Sequence, residues 1–322
     1  VKIPNFFVST VKHVTFIEDG KVTWENKDRL RGVIWGITWD ENYLYLLNQN
    51  TKIRPEILVK FNKRNLEEFE KLYLQRDLCQ FNNFPEHETR GSHQIFYDIK
   101  NGLHIMNTGK NIITTLVDEN KDTKEYEGVI LKHFQYPDDN KRHINTMWSS
   151  NGIDYYVIEH NGNDPPSALS GLKMQNGQFR HVQRWKNIGI QCHNIHISKH
   201  EDEGWLRFVT LSSEERSIKQ FAIRDELSND AEKRLERRKY INALGHDRWF
   251  VRGLGRVLGF WFVGLSEFHK SGPDRHYSKK TGVAVLDDDW NLIQEIDLSG
   301  KGQIYDLRVT EGLDECHNGI PW

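Results

Sequence analysis

The sequence predicts an all-β chain folded as a six-bladed β-propeller, and three observations carry that expectation. Hairpin-like segments of one shape start 50 to 60 residues apart along the chain. Further strand candidates fill the intervals between them. The last segment is cut short, while strand candidates at the N-terminus lack a repeat of their own.

The segments are GVIWGITWDENYLYLLNQ from Gly32, SHQIFYDIKNGLHIMNTG from Ser92, RHINTMWSSNGIDYYVIEHNG from Arg142, CHNIHISKHEDEGWLRFVTLSS from Cys192 and VRGLGRVLGFWFVGLSE from Val251, with a sixth opening GQIYDLRV at Gly302. Each pairs two β-rich runs around a turn cluster, which is a hairpin signature. NIITTLVD, EGVILKHFQ and GVAVLDDDWNLIQEIDL supply outer strands. Four strands per repeat at this spacing is the pattern of a propeller blade. The N-terminal VTFIEDGKVTW completes the sixth blade and closes the ring, which removes an unpaired edge. Two β-sandwiches are the competing architecture, but they do not require similar hairpins at regular intervals. No linker divides the chain, so residues 1–322 are read as one domain. One helical excursion is expected over 228–244, where Ser228–Asn229–Asp230 resembles a cap and an Ala/Glu/Lys/Arg-rich body follows.

Composition narrows the function classes. A formal net charge of −2 gives no basic excess for nucleic acid, and no apolar run is long enough to span a membrane. The opening VKIPNFFVSTVKHVTF has neither the basic n-region nor the apolar h-region of a signal peptide. Cys79, Cys192 and Cys316 are odd in number and far apart, which fits a reducing, cytoplasmic setting better than a disulfide framework.

The chemistry points to a histidine column. Aligning Asn101–Gly102 with Asn151–Gly152 gives an offset of 50, and this offset carries His93 onto His143 and then His193. With 15 histidines in 322 residues, such a triplet arises by chance only about 0.03 times per chain. Inner strands line the channel of a propeller, so three imidazoles from successive blades would converge on it. Three histidines with open positions are the pattern of a catalytic metal site for Fe, Zn or Mn. The plainer alternative is a structural column that hydrogen-bonds neighbouring blades, but the first, fifth and sixth repeats have no histidine there.

Trp35, Arg252 and Gln303–Ile304–Tyr305–Asp306 fall on the opposite half of the ring. Arg252 suits an anionic group on a substrate, or else an ion pair between blades. Tyr305 and Glu88 are candidate proton-transfer groups, with Arg90 beside Glu88 in a mouth loop. Asp306 could pair with Arg252 or orient a histidine, though a turn carboxylate is the plainer reading. His196 is expected to point away from the column and His104 to be structural, while Glu159 and Glu267, which end second strands, could serve as acid or base, with exposed ion pairs the plainer reading.

HQIFYDIKNGLHIMNTG, HINTMW, RGLGRVLGFWFVGLSE and GQIYDLRV resemble a family of conserved bacterial hypothetical proteins of unknown function, whose members carry His-led strands followed by RGL…VGLS. The likeness covers blocks between about residues 90 and 310, and its most specific part pairs Arg252–Gly253–Leu254 with Val263–Gly264–Leu265–Ser266. It implies a propeller-like fold and no known reaction. More distantly, the half-ring of histidines is similar to metal sites in propeller lyases acting on acidic sugars and in propeller oxygenases that hold iron.

Two functions follow as expectations. The first is a metal-dependent enzyme acting on a small polar or anionic, sugar-like substrate, by lyase or isomerase chemistry or as a non-haem-iron oxygenase. The second is a non-catalytic propeller that presents a face to a protein or glycan.

Overall fold

A computed structural model describes residues 2–11, 13–26, 30, 32–49, 56–73, 92–108, 111–117, 130–135, 142–149, 151–161, 166–225, 232–241, 249–267, 278–311, 320 and 322. They form six four-stranded antiparallel sheets arranged as the blades of a β-propeller. The N-terminal strands are β1 (Phe6–Thr10), β2 (Val14–Glu18) and β3 (Lys21–Glu25). Blade one is β4 (Val33–Trp39), β5 (Tyr43–Gln49), β6 (Glu56–Asn62) and β7 (Asn65–Tyr73). Blade two is β8 (Ser92–Asp98), β9 (Gly102–Asn107), β10 (Ile112–Val117) and β11 (Ile130–Gln135). Blade three is β12 (Ile144–Trp148), β13 (Asp154–Glu159), β14 (Ser167–Gln175) and β15 (Gln178–Gly189). Blade four is β16 (Cys192–Lys199), β17 (Trp205–Ser212), β18 (Ser217–Arg224) and β19 (Lys233–Tyr240). Blade five is β20 (Trp249–Val257), β21 (Phe260–Glu267), β22 (Thr281–Leu286) and β23 (Leu292–Asp297).

Blade six takes its inner strand from the far end of the chain. β24 (Ile304–Val309) pairs with β1, and the order β24-β1-β2-β3 closes the ring. VTFIEDGKVTW is β2 and β3 joined at Asp19–Gly20, as the sequence suggests, while β1 ahead of it went unread. Trp322 adds a latch: its ring packs on Phe7 at 4.6 Å, and the backbone of Ile320 accepts from the Trp39 indole at 2.6 Å.

Burial explains the composition. The apolar core divides into six clusters, each filling a seam between neighbouring blades. In the seam between blades two and three, Phe96, Met106 and Ile113 meet Met147, Tyr155 and Leu172. Successive side chains of a strand point to opposite faces, so a strand inside the ring is buried on both faces. β4 and β24 are therefore buried at every residue, whereas the outer strands β3 and β23 are mostly exposed. Seams this tight leave little room between inner strands. A Cβ on Gly36 would meet the backbone nitrogen of Ile95 at 2.8 Å.

The expected helix over 228–244 is a correction. Residues 233–240 are strand β19, the exposed outer edge of blade four, and the rest of that segment lies largely outside the described residues. LERRKY pairs with β18 because the blade needs a fourth strand, and tertiary pairing overrides the helical propensity of its Glu, Lys and Arg. Its charges suit an edge strand that must not pair with another chain. Among the described residues no helix is long and apolar enough to cross a membrane.

Candidate functional site

All six inner strands are interrupted at one level. The pairing of each with its neighbour skips a residue: Trp35 in β4, His93 in β8, Asn145 in β12, Asn194 in β16, Arg252 with Gly253 in β20, and Tyr305 in β24. A β-bulge of this kind bends the strand and re-aims the side chain at the extra residue. A ring of bulges therefore sits at the end of the channel where the inner strands begin. Gly253 and Gly264 make the one in β20 possible. Gly253 sits at φ +92, and a Cβ on Gly264 would meet the Arg252 carbonyl at 2.1 Å. This is the physical content of the RGL…VGLS pairing: the glycine of one strand receives the bulge of the other.

The histidines gather there, but not in one register. His93 is the bulged residue of its strand, His193 precedes its bulge by one position, and His143 precedes its own by two, just ahead of β12. The backbone of His143 is left-handed, at φ +49, a conformation costing on the order of 1–3 kcal/mol that the surroundings must enforce. The rings nevertheless form a continuous chain. His93 lies 5.0 Å from His143, His143 lies 4.6 Å from His160, and His160 lies 4.9 Å from His193, centroid to centroid.

His160 is the member that sequence reasoning missed. Its backbone N–H donates to the His143 carbonyl at 3.1 Å. Counting outward from the Asn151–Gly152 turn would have placed the two opposite one another. Phe250, packed 5.5 Å from His193, was also unread.

The other half of the ring is as the spacing suggests. The Trp35 indole stacks on His93 at 4.4 Å and 12°, and meets the Tyr305 ring edge-on at 4.5 Å. The Arg252 guanidinium is buried 4.7 Å from the Tyr305 ring and 5.4 Å from that of Trp35, and its Nε donates to the Tyr305 carbonyl at 3.0 Å. The Tyr305 hydroxyl reaches Gln303 Oε1 at 3.4 Å. Glu88 and Arg90 lie outside the described residues.

Burial holds His193 well below its usual pKa, and each of the described charges acting on it pushes the same way: Arg252 first, then His160, His93 and His143. His160 is lowered to about 3 by burial, by His143 and by Arg252. Both rings are neutral at pH 7. The tautomer of His193 follows from its partner. The Ser213 hydroxyl spends its hydrogen on the Val251 carbonyl at 2.6 Å, so it accepts from His193 Nδ1 at 2.9 Å. The proton is therefore on Nδ1, and Nε2 carries the lone pair.

Four imidazoles thus gather where the inner strands of blades two to four begin. Among the described residues, however, no three His, Cys, Asp or Glu side chains are placed to hold one metal ion.

Asp306 lies one level further along the channel and pairs with Arg308, at 3.1 Å. It is fully buried and ties four blades together. It accepts from the Ile37 backbone N–H at 3.0 Å, from Asn194 Nδ2 at 3.1 Å, from the Leu307 N–H at 3.0 Å and from the Gln94 side chain. Asn194 in turn accepts from the Gly253 N–H at 2.7 Å. Burial pushes the Asp306 carboxyl up, against the pull of Arg308 and these donors.

The remaining candidates lie outside this chain of rings. His196 packs between Trp148 at 5.0 Å and Trp261 at 5.1 Å, away from the column. His104 is fully buried, bonds Thr115 through Nδ1 at 2.8 Å, and is lowered to about 4 by burial. Glu159 corrects the expectation of an exposed ion pair. It is fully buried and held by Arg142 at 2.9 Å and Arg184 at 2.6 Å. Glu267 is half-buried at the end of β21.

No family model and no curated protein matches the chain. Solved structures do. A functionally unknown protein from Desulfotomaculum acetoxidans is similar over 94% of this chain and 84% of its own, with a TM-score of 0.52 at 13% identity. A protein from Lactobacillus plantarum gives 0.50 at 11%, over 97% and 100%. The hydrazine synthase of Kuenenia stuttgartiensis gives 0.49 at 12%, over 93% and 86%. At these identities the likeness is one of fold. Propeller-like neighbours of unknown function agree with the resemblance read from the sequence in architecture, and they do not extend to its motifs.

Proposed function

We propose that the histidine-lined end of the channel takes a small anionic substrate, most simply a carboxylate, and moves a proton on it without a metal, in lyase or isomerase chemistry. The observation that carries this reading is the meeting of one buried guanidinium with two neutral imidazoles: Arg252 is the strongest charge acting on His193, and it also acts on His160. An anion on Arg252 makes charge-assisted hydrogen bonds. It also cancels the charge that most depresses His193, apart from burial, and so brings that imidazole nearer to the range in which a general base works.

His193 Nε2 is the base in this reading. Ser213 fixes its tautomer through Nδ1, as a base oriented by a further group requires. Trp35, stacked on His93, presents an aromatic face beside the guanidinium. Tyr305 supports Arg252 from beneath. Gathering four imidazoles also favours a second reading, in which His93, His143 and His193 hold Fe, Zn or Mn. Among the described residues these side chains are not placed to hold one ion together, so this reading needs the rings to shift on metal binding.

The test is deuterium exchange. A panel of small carboxylates, hexuronates included, is incubated with protein in heavy water, and the carbon beside the carboxylate is followed by proton NMR. Wild type should exchange it, and His193→Gln should slow exchange at least ~100-fold, the usual contribution of a positioned base. Binding without exchange would leave an anion receptor, and neither binding nor exchange would overturn the reading. Elemental analysis of untagged protein decides the second reading. Near-stoichiometric metal that is lost in folded His143→Ala would put a metal in the site.

A further inference from the structure

We infer that Glu159 is a positioning residue for this end of the channel: clamped by Arg142 and Arg184, it holds the two backbone segments that carry His143 and His160. Arg142 immediately precedes His143, and Glu159 immediately precedes His160. The two segments lie opposite one another, with His160 N–H on the His143 carbonyl at 3.1 Å and Asn161 N–H on the Arg142 carbonyl at 2.9 Å. The Arg142–Glu159 ion pair spans the same step at 2.9 Å.

Every oxygen of the carboxylate is used. Oε1 accepts from Arg142 Nη1 and from the Ser170 hydroxyl, and Oε2 accepts from Arg184 Nε at 2.8 Å and Nη2 at 2.6 Å. Neighbouring residues of a strand point to opposite faces. The clamp therefore grips one face of blade three, while the ring of His160 reaches the other way to His193 in blade four. It also gives the left-handed backbone at His143 a fixed neighbour on its N-terminal side.

A buried ion pair is a poor device for stability alone, because well-packed apolar side chains of similar volume do as well or better. Its use in fixing one arrangement is the better-attested role, and here the arrangement it fixes is that of two site rings. One readout of the test rests on the anion reading above, and the other does not.

The first readout is the set of histidine ring nitrogen–proton signals in ¹⁵N-labelled full-length protein, with no ligand. Arg142→Met and Glu159→Gln should move the His143 and His160 signals and leave those of His104 and His196 in place. Arg142→Lys should return them toward wild type. The second readout is calorimetric binding of inorganic phosphate, expected to weaken about tenfold in the first two variants and within threefold in Arg142→Lys. If wild type binds no phosphate, the ring signals alone judge the clamp. Variants with a lowered urea midpoint but wild-type His143 and His160 signals would show that Glu159 is only structural, and would overturn the inference.

Discussion

The layer of polar side chains around Asp306 and the layer around Arg252 are neighbours in the channel, and they are satisfied in opposite ways. Asp306 collects donors from blades one, two and four and from its own strand, and a full counter-charge from Arg308. Arg252 sits among aromatic faces and neutral imidazoles that its own charge helps keep neutral. The carboxylate of the first layer is engaged in holding the ring together. The second sets one guanidinium against aromatic faces and imidazole rings. A buried carboxylate held by donors from several blades fixes a structure, whereas a guanidinium beside neutral rings is suited to charge-assisted hydrogen bonds with a bound anion. That difference separates scaffold from site among residues equally buried and equally polar.

The largest effect should come from breaking the scaffold layer. Asp306→Ala leaves Arg308 buried without its partner and should cost about 3–5 kcal/mol, read as a lowered urea midpoint. Arg252→Met should invert the pattern. It should cost less stability than Asp306→Ala and weaken a small-anion ligand by roughly 10- to 100-fold, the worth of a hydrogen bond to a charged group. If instead Arg252→Met proved the more destabilising of the two, the division into scaffold and site would be lost.

Acid should act next. His104 at about 4, His160 at about 3 and His193 are buried neutral, with folded pKa values below the unfolded 6.5. The unfolded chain therefore binds more protons in that window. Stability is fully present above about pH 6.5 and falls as the pH drops toward the folded values, by about 1.4 kcal/mol per pH unit for each group. Asp306, raised by burial, works the other way as the pH falls through its folded pKa. Urea midpoints from pH 7 to pH 4.5 check this, and His160→Leu should flatten the slope by about one proton. The smallest effect should be that of Tyr305→Phe. It removes the 3.4 Å contact to Gln303 and keeps the ring against Arg252, so stability should change by less than about 1 kcal/mol and ligand affinity by less than about twofold.

The fold was legible because a propeller repeats. The turn clusters and apolar runs of Ser92–Gly109 and Arg142–Gly162 announce hairpins whatever surrounds them. The exception, Lys233–Tyr240, is an exposed outer strand whose apolar periodicity is absent because no seam covers it. The histidine column was half legible. Spacing found His93, His143 and His193, but the bulges shift their registers, so equal spacing was not equivalence. His160 required the hairpin to be paired residue by residue. Asp306 resembled a turn carboxylate because its partners lie far away in sequence, Ile37 by 269 residues and Asn194 by 112. Glu159 was misread for a related reason: burial is decided by the neighbouring blade, which the local sequence does not contain.

The most direct measurement is a titration of phosphate and of a hexuronate into ¹⁵N-histidine-labelled protein, wild type beside Arg252→Met. If the Arg252 layer is the site, the ring signals of His160 and His193 move with saturation in wild type, those of His104 and His196 stay put, and Arg252→Met abolishes the movement. Rings that stay still in wild type, or move equally in both proteins, would contradict it.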